Sequence, residues 1–227
     1  RTPFSRHFNI LGWAVGRGGG RSGKIYTVKG HRWFAAVYDL ATCRFESKVL
    51  RRLRAWVAGE AVGRVLEVGV GTGANFPYYP GGLSVVAVDP DPFMLARARK
   101  RAGRLGRDPD FIRAAAEALP FADGSFDTVV ATLVFCSVLD PDRALAEVRR
   151  VLRPGGTFRF IEHVRARGGL LAQLQDTATP VWRRVAGGCH LNRRTVEAIS
   201  AAGFELVRLE WHPLLFTPLA AGVARPR

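Results

Sequence analysis

Gly69, Gly71 and Gly73 alternate through the stretch VLEVGVGTGANF at residues 65–76, on the heels of the apolar run Val65, Leu66 and Val68. A run of that kind is a short interior strand, and glycines at its end let the backbone turn tightly and let something approach it. Gly69-x-Gly71-x-x-Ala74 fits the loop that brings backbone up to a nucleotide-like cofactor. Asp89 closes the next apolar run 18 residues beyond Gly71, where an acid holds ribose hydroxyls. The pair points to a nucleoside-containing cofactor and leaves open whether that is NAD or S-adenosylmethionine.

Other residues add to this set. Glu67 lies inside the strand before the glycines, where a buried carboxylate is costly unless paired; the ammonium of a methionyl group is one candidate partner. The stretch AAAEALPF, Ala114 to Phe121, offers small residues against which an adenine can lie. His163 is the candidate general base, set against a structural histidine bonded to backbone or to Glu162. Cys136 has the look of a nucleophile, but if the cofactor is S-adenosylmethionine, transfer of its methyl needs none from the enzyme, and Cys136 then reads as a pocket-lining residue. Asp176 is a candidate to orient a substrate, against a capping or solvent-facing role, and Trp182 is core or lid before it is substrate wall. Cys189-His190 has no second pair to complete a metal set, so no metal is expected.

These residues need a framework, and the alternation of patterns supplies one. RVLEVGV, LSVVAVD, DFIRAA, FDTVVATLVF and TFRFIEHV read as strands. A short helix is expected from near Ala74, then PFMLARARKRAG, then DRALAEVRRVLRPGG, stopped by Pro154 and its glycine pair. Such alternation builds a doubly wound parallel sheet. After the helix NRRTVEAISAAGF, the strands FELVRLEWH and LAAGVARP follow without a helix between them, which predicts a hairpin and an antiparallel strand at one edge. The expectation is an α/β fold with a seven-stranded, mostly parallel sheet. Residues 1–30 form a basic, glycine-rich arm, 31–60 a helical segment and 61–227 the main domain. An insertion at 164–192 carries Leu170, Leu171, Leu174 and Trp182 and is placed to act as a lid over the strand ends.

The glycine loop, the acid after the second strand, the adenine-side alanines and the terminal hairpin together resemble the class I S-adenosylmethionine-dependent methyltransferases, from about Val62 to the C-terminus. Cys136-Ser137-Val138, Glu162-His163-Val164, Pro180-x-Trp182 and Gly188-Cys189 narrow the resemblance to the thiol S-methyltransferases of the mammalian methyltransferase-like group and their bacterial relatives, some described as ubiquinone-biosynthesis-type or phospholipid N-methyltransferases. The resemblance implies S-adenosyl-L-methionine as cofactor and S-adenosyl-L-homocysteine as product. It implies a cofactor site made of Glu67, Val68, Gly69, Gly71 and Gly73, with Asp89 on the ribose. Pro90, Met94, Ala116 and Glu117 would flank the adenine, and Thr132 and Leu133 would offer backbone near the sulfonium. Cys136, His163, Asp176 and Trp182 would face the acceptor. Ala115 stands where many relatives carry an acid, and Val70 where a smaller residue or cysteine is commoner.

The net charge of +15 comes from 34 Lys and Arg against 19 Asp and Glu, and residues 1–60 hold 12 cations against three acids. The arginines are scattered and no aromatics interleave with them, which argues against nucleic acid as a partner. Contact of the basic N-terminal region with anionic lipid is the alternative use for the surplus. Three widely spaced cysteines suit a reducing cytoplasm. The reading is a methyltransferase acting on a small, lipophilic acceptor, a thiol first and a phospholipid amine or quinone second. An NAD-dependent oxidoreductase and a non-catalytic cofactor-binding regulator are the alternatives from other classes.

Overall fold

A computed structural model of the protein describes residues 48–214 and 217–227. The arm at 1–30 and the first part of the expected helical segment lie outside these residues. The described part opens with α1, Lys48–Gly59, which turns Leu53, Val57 and Ala58 inward together with a buried arginine, Arg54. Its apolar residues recur at helical spacing, as the sequence requires.

Seven strands follow: β1 Arg64–Val68, β2 Ser84–Asp89, β3 Asp110–Arg113, β4 Phe126–Thr132, β5 Leu152–His163, β6 Phe204–His212 and β7 Leu219–Pro226. They form one sheet in the order β3-β2-β1-β4-β5-β7-β6. The first five are parallel, and β7 lies antiparallel between β5 and β6. The hairpin expected at the end of the chain is present, but its antiparallel strand sits one position in from the edge. The edge itself is β6, which runs with the parallel set. β5 begins at Leu152, before Pro154, because the backbone turns extended as soon as the preceding helix ends.

The helices are α2 Pro92–Arg104, α3 Pro141–Val151, α4 Gly169–Val185 and α5 Thr195–Ala201. α2 and α3 start the same way. Asp91 and Asp140 cap them by accepting from the amides of Phe93 and Arg143, and each is followed by a proline whose missing N–H costs nothing there. Side chains alternate across β1, so Leu66 and Val68 join one core with Phe158 and Phe160 while Val65 joins the other with Ala87, Val130 and Ile161. Both faces of the sheet are thus covered, and the strand order reverses between β1 and β4. In such sheets ligands bind outside the carboxyl ends of the strands at that switch point.

Candidate active site

The loop after β1 is shaped by contacts that differ from one glycine to the next. A Cβ on Gly69 would lie 2.6 Å from the Val134 side chain, and one on Gly73 would lie 2.5 Å from the Phe76 ring. A Cβ on Gly71 would meet nothing within 4 Å. The outer glycines therefore allow close packing of the loop, and the middle one faces free space. Asp89, at the end of β2, fixes the loop beside that space. Its Oδ2 accepts from the Gly71 amide at 2.9 Å and its Oδ1 from the Asp91 amide at 2.9 Å. Burial pushes its carboxyl up to about 6 against the pull of those two bonds.

The expected helix near Ala74 does not form. The backbone instead makes successive turns, with bonds from Gly73 to Val70, Phe76 to Gly73 and Tyr78 to Asn75. Gly73 adopts a left-handed conformation, and Pro77 and Pro80 have no amide to continue a helical ladder.

This turn segment carries residues that sequence reasoning missed. Asn75 and Tyr79 project onto Glu67, donating to its two carboxylate oxygens at 2.9 and 3.0 Å. Arg54 reaches across from α1 and donates to Asn75 Oδ1 at 2.8 Å and Thr132 Oγ1 at 2.9 Å. The partner that the sequence left to a cofactor ammonium is, within the fold, this network. Desolvation still dominates at Glu67 and raises its carboxyl to about 7. No spacing rule would pair Arg54, Asn75, Glu67, Tyr79 and Thr132, because they come from α1, β1, the turn segment and the end of β4.

The β4 end is held with equal care. Leu133 is the one non-glycine residue with positive φ among the described residues, and its amide donates to Ile161 O at 2.7 Å. Glu162 of β5 then accepts from the amides of Val134, Phe135 and Cys136 at 2.8, 3.0 and 3.1 Å. Burial raises its carboxyl to about 7 even so. Glu162 and His163 are neighbours in sequence, but their side chains leave the strand on opposite faces. The carboxylate serves the loop amides.

Of the residues expected to flank an adenine, Ala116 and Met94 are buried, and Pro90 O accepts from Arg113 Nε at 3.0 Å. Glu117 is buried with its Oε1 taking the amides of Leu139 and Asp140, and its carbonyl takes Arg143 Nε. It shapes the wall by tying loops together.

Of the residues expected to face an acceptor, Cys136 and His163 meet a third residue, Cys189. His163 Nδ1 lies 3.7 Å from Cys189 Sγ and 4.0 Å from Cys136 Sγ. The neighbouring Cys136 thiol and the adjacent imidazole hold the Cys189 thiol low, while Cys189 and burial push Cys136 up. Asp176 is engaged elsewhere: its carboxylate takes Arg165 at 2.7 Å and Asn192 at 3.1 Å. It ties the expected lid to the segments on either side. That lid is α4, which exposes Leu170, Leu174, Val181 and Trp182. No helix among the described residues is long and apolar enough to cross a membrane.

Free space above Gly71 with the Asp89 carboxylate beside it leaves this end of the sheet open to a ribose-bearing cofactor. Comparison with known proteins agrees. The model of a family described as "Methyltransferase domain" matches residues 66–160. The chain is 42% identical over 162 residues to thiol S-methyltransferase TMT1B of Rattus norvegicus, covering 70% of this chain and 66% of that protein, just under two thirds. It is 36% identical over 200 residues to thiol S-methyltransferase TMT1A of Homo sapiens, covering 85% of this chain and 80% of that protein. A crystal structure of a putative methyltransferase from Bacillus halodurans shares the fold, with a TM-score of 0.67 over 80% of this chain and 100% of that one at 18% identity. The resemblance carried by the loop motifs thus extends along most of the described chain, which belongs to the class I S-adenosylmethionine-dependent methyltransferases.

Proposed function

We propose that the protein transfers the methyl group of S-adenosylmethionine to the sulfur of a small, hydrophobic thiol. The cofactor supplies a methyl already activated on a sulfonium. Gly69, Gly71 and Gly73 admit its methionyl part, Asp89 accepts from the ribose hydroxyls, and Pro90, Met94, Ala116 and Glu117 flank the base. The backbone at Thr132 and Leu133 lies next to the reacting centre. The protein's part is to align the acceptor and keep water out, an orientation effect of up to about 7–11 kcal/mol.

The observation that carries the choice of a thiol is the engagement of His163. Its Nδ1 is turned onto the sulfurs of Cys136 and Cys189, 4.0 and 3.7 Å away. A hydroxyl or an ammonium acceptor needs a free base to take its proton. A thiol, with a pKa near 8.5, ionises with little help. The names of the rat and human relatives point the same way. The exposed Leu174 and Trp182 on α4 suit an apolar acceptor.

The test is transfer of labelled methyl to a panel holding an alkyl thiol, a thiophenol, phosphatidylethanolamine and a reduced quinone, with Asp89→Ala as control. Label on the thiols, lost in the control, supports the proposal. Label confined to the lipid or the quinone overturns it and makes the basic N-terminal region the place to look for membrane contact.

A further inference from the structure

We propose that Cys136, His163 and Cys189 form a binding site for a thiophilic divalent cation of the zinc class. The two cysteines lie 53 residues apart in sequence, so no ligand spacing announces the site. The fold brings them together from the loop after β4, the last residue of β5 and the turn after α4. One donor atom from each lies within 4.8 Å of the other two.

The separations suit a metal better than a disulfide. Zinc bonds of about 2.3 Å to sulfur and about 2.0–2.1 Å to nitrogen, at tetrahedral angles, put sulfur and nitrogen about 3.6 Å apart and two sulfurs about 3.8 Å apart. The observed 3.7 and 4.0 Å from His163 Nδ1 exceed that by a few tenths of an ångström. The sulfurs, within 4.8 Å of each other, need to close by no more than about 1 Å. A disulfide requires about 2.05 Å and gives the imidazole no part. A single nitrogen facing two sulfurs is otherwise poorly used, since its one lone pair accepts from one thiol only.

The surroundings suit a cation held by thiolates. Cys136 and Cys189 are buried while His163 is only partly so, which leaves an entry beside the ring. Two thiolates and a neutral imidazole cancel the charge of a dication, so the buried assembly carries no net charge. The ligands are also held from behind. The Cys136 amide donates to Glu162, the His190 amide beside Cys189 donates to Cys136 O at 2.8 Å, and the Arg193 guanidinium is anchored on Phe135 O. Such outer contacts orient ligands and tune the site. Three protein donors leave a fourth position for water or an added ligand. Because Cys189 follows α4 and the other two sit at the sheet, occupancy would clamp the insertion onto the end of β5. The site does not depend on which acceptor the enzyme methylates.

The test is a titration of the reduced protein with cobalt(II), followed by displacement with zinc. One equivalent per chain giving a thiolate-to-cobalt charge-transfer band and the strong visible bands of tetrahedral cobalt is the expected result. Cys136→Ser and Cys189→Ser each weaken the charge-transfer band, since one thiolate remains, or raise the zinc Kd by at least about tenfold, whereas Cys43→Ser leaves both unchanged. Circular dichroism establishes that the variants fold. Should a cysteine variant fail to fold, a zinc-dependent rise in the melting temperature of the wild-type protein, abolished in His163→Ala, gives the same reading. No cobalt band in the wild type, or an undiminished band at unchanged affinity in Cys189→Ser, overturns the site. So does a protein that takes no cobalt but loses two hydrogens when peroxide joins Cys136 to Cys189, because the pair would then be a redox couple.

Discussion

The Asp89 carboxylate at the end of β2 accepts from the amide of Gly71, 2.9 Å away in the loop after β1. One side chain thus sets the shape of the glycine loop and lies beside the free space above it. Asp89→Ala should weaken S-adenosylhomocysteine binding by about 10- to 100-fold, the scale of one or two lost charged hydrogen bonds, as read by calorimetry. In the proposed role, Asp89 accepts from ribose hydroxyls in its ionised form, and burial raises its pKa to about 6. Affinity should therefore be steady above about pH 6 and fall below it, by up to about tenfold per pH unit. An affinity that holds down to pH 4.5 would count against this role.

Two alanine substitutions should separate the glycines. Gly69→Ala places a methyl 2.6 Å from Val134 in a left-handed conformation and should cost about 1–3 kcal/mol of stability. Gly71→Ala meets no atom, so it should cost about 1–2 kcal/mol through its positive φ alone. Its methyl nevertheless enters the cofactor space, and binding should fall further than stability does. Thermal unfolding and calorimetry on both variants check the pair.

Arg54→Ala should destabilise the protein by about 3–5 kcal/mol, the cost of removing one partner from a buried charged network. It strips a donor from Asn75 and Thr132 and leaves Glu67 without a nearby positive charge. Denaturant unfolding would show it as a lower midpoint with an unchanged slope.

Glu67 gives stability a pH dependence of definite sign. Its folded pKa is raised from 4.5 to about 7, so the folded state holds its proton more tightly than the unfolded chain does. Between these values the folded state binds more protons, and its contribution to stability falls as pH rises through that window. Melting temperature measured from pH 4.5 to 7.5 should carry this decline together with the like contributions of Glu162 and Asp89, and Glu67→Gln should make it shallower.

How far these features were legible in the sequence follows from their range. The glycine loop, Asp89 and the Asp-Pro starts of α2 and α3 are local patterns of a few residues, and each appears where the sequence puts it. The glycines alone left NAD open, and the family match closed that alternative. The helix expected near Ala74 does not form, because Gly73 is left-handed and Pro77 and Pro80 have no amide for a helical ladder. Arg54 looked like one of many surface arginines. Only the packing of α1 against β4 turns it onto Thr132, 78 residues away. Cys189 was likewise visible as a residue but not as the third member of a cluster, since its partners come from two other stretches of chain.

In the proposed reaction, the acceptor brings its own acidity and the protein brings alignment. The pH dependence of kcat/KM for a series of thiols of graded pKa tests this. The rising limb should move with the pKa of each thiol, in wild type and in His163→Ala alike. A limb fixed at one pH for every thiol and displaced in His163→Ala would show a base on the enzyme and contradict it.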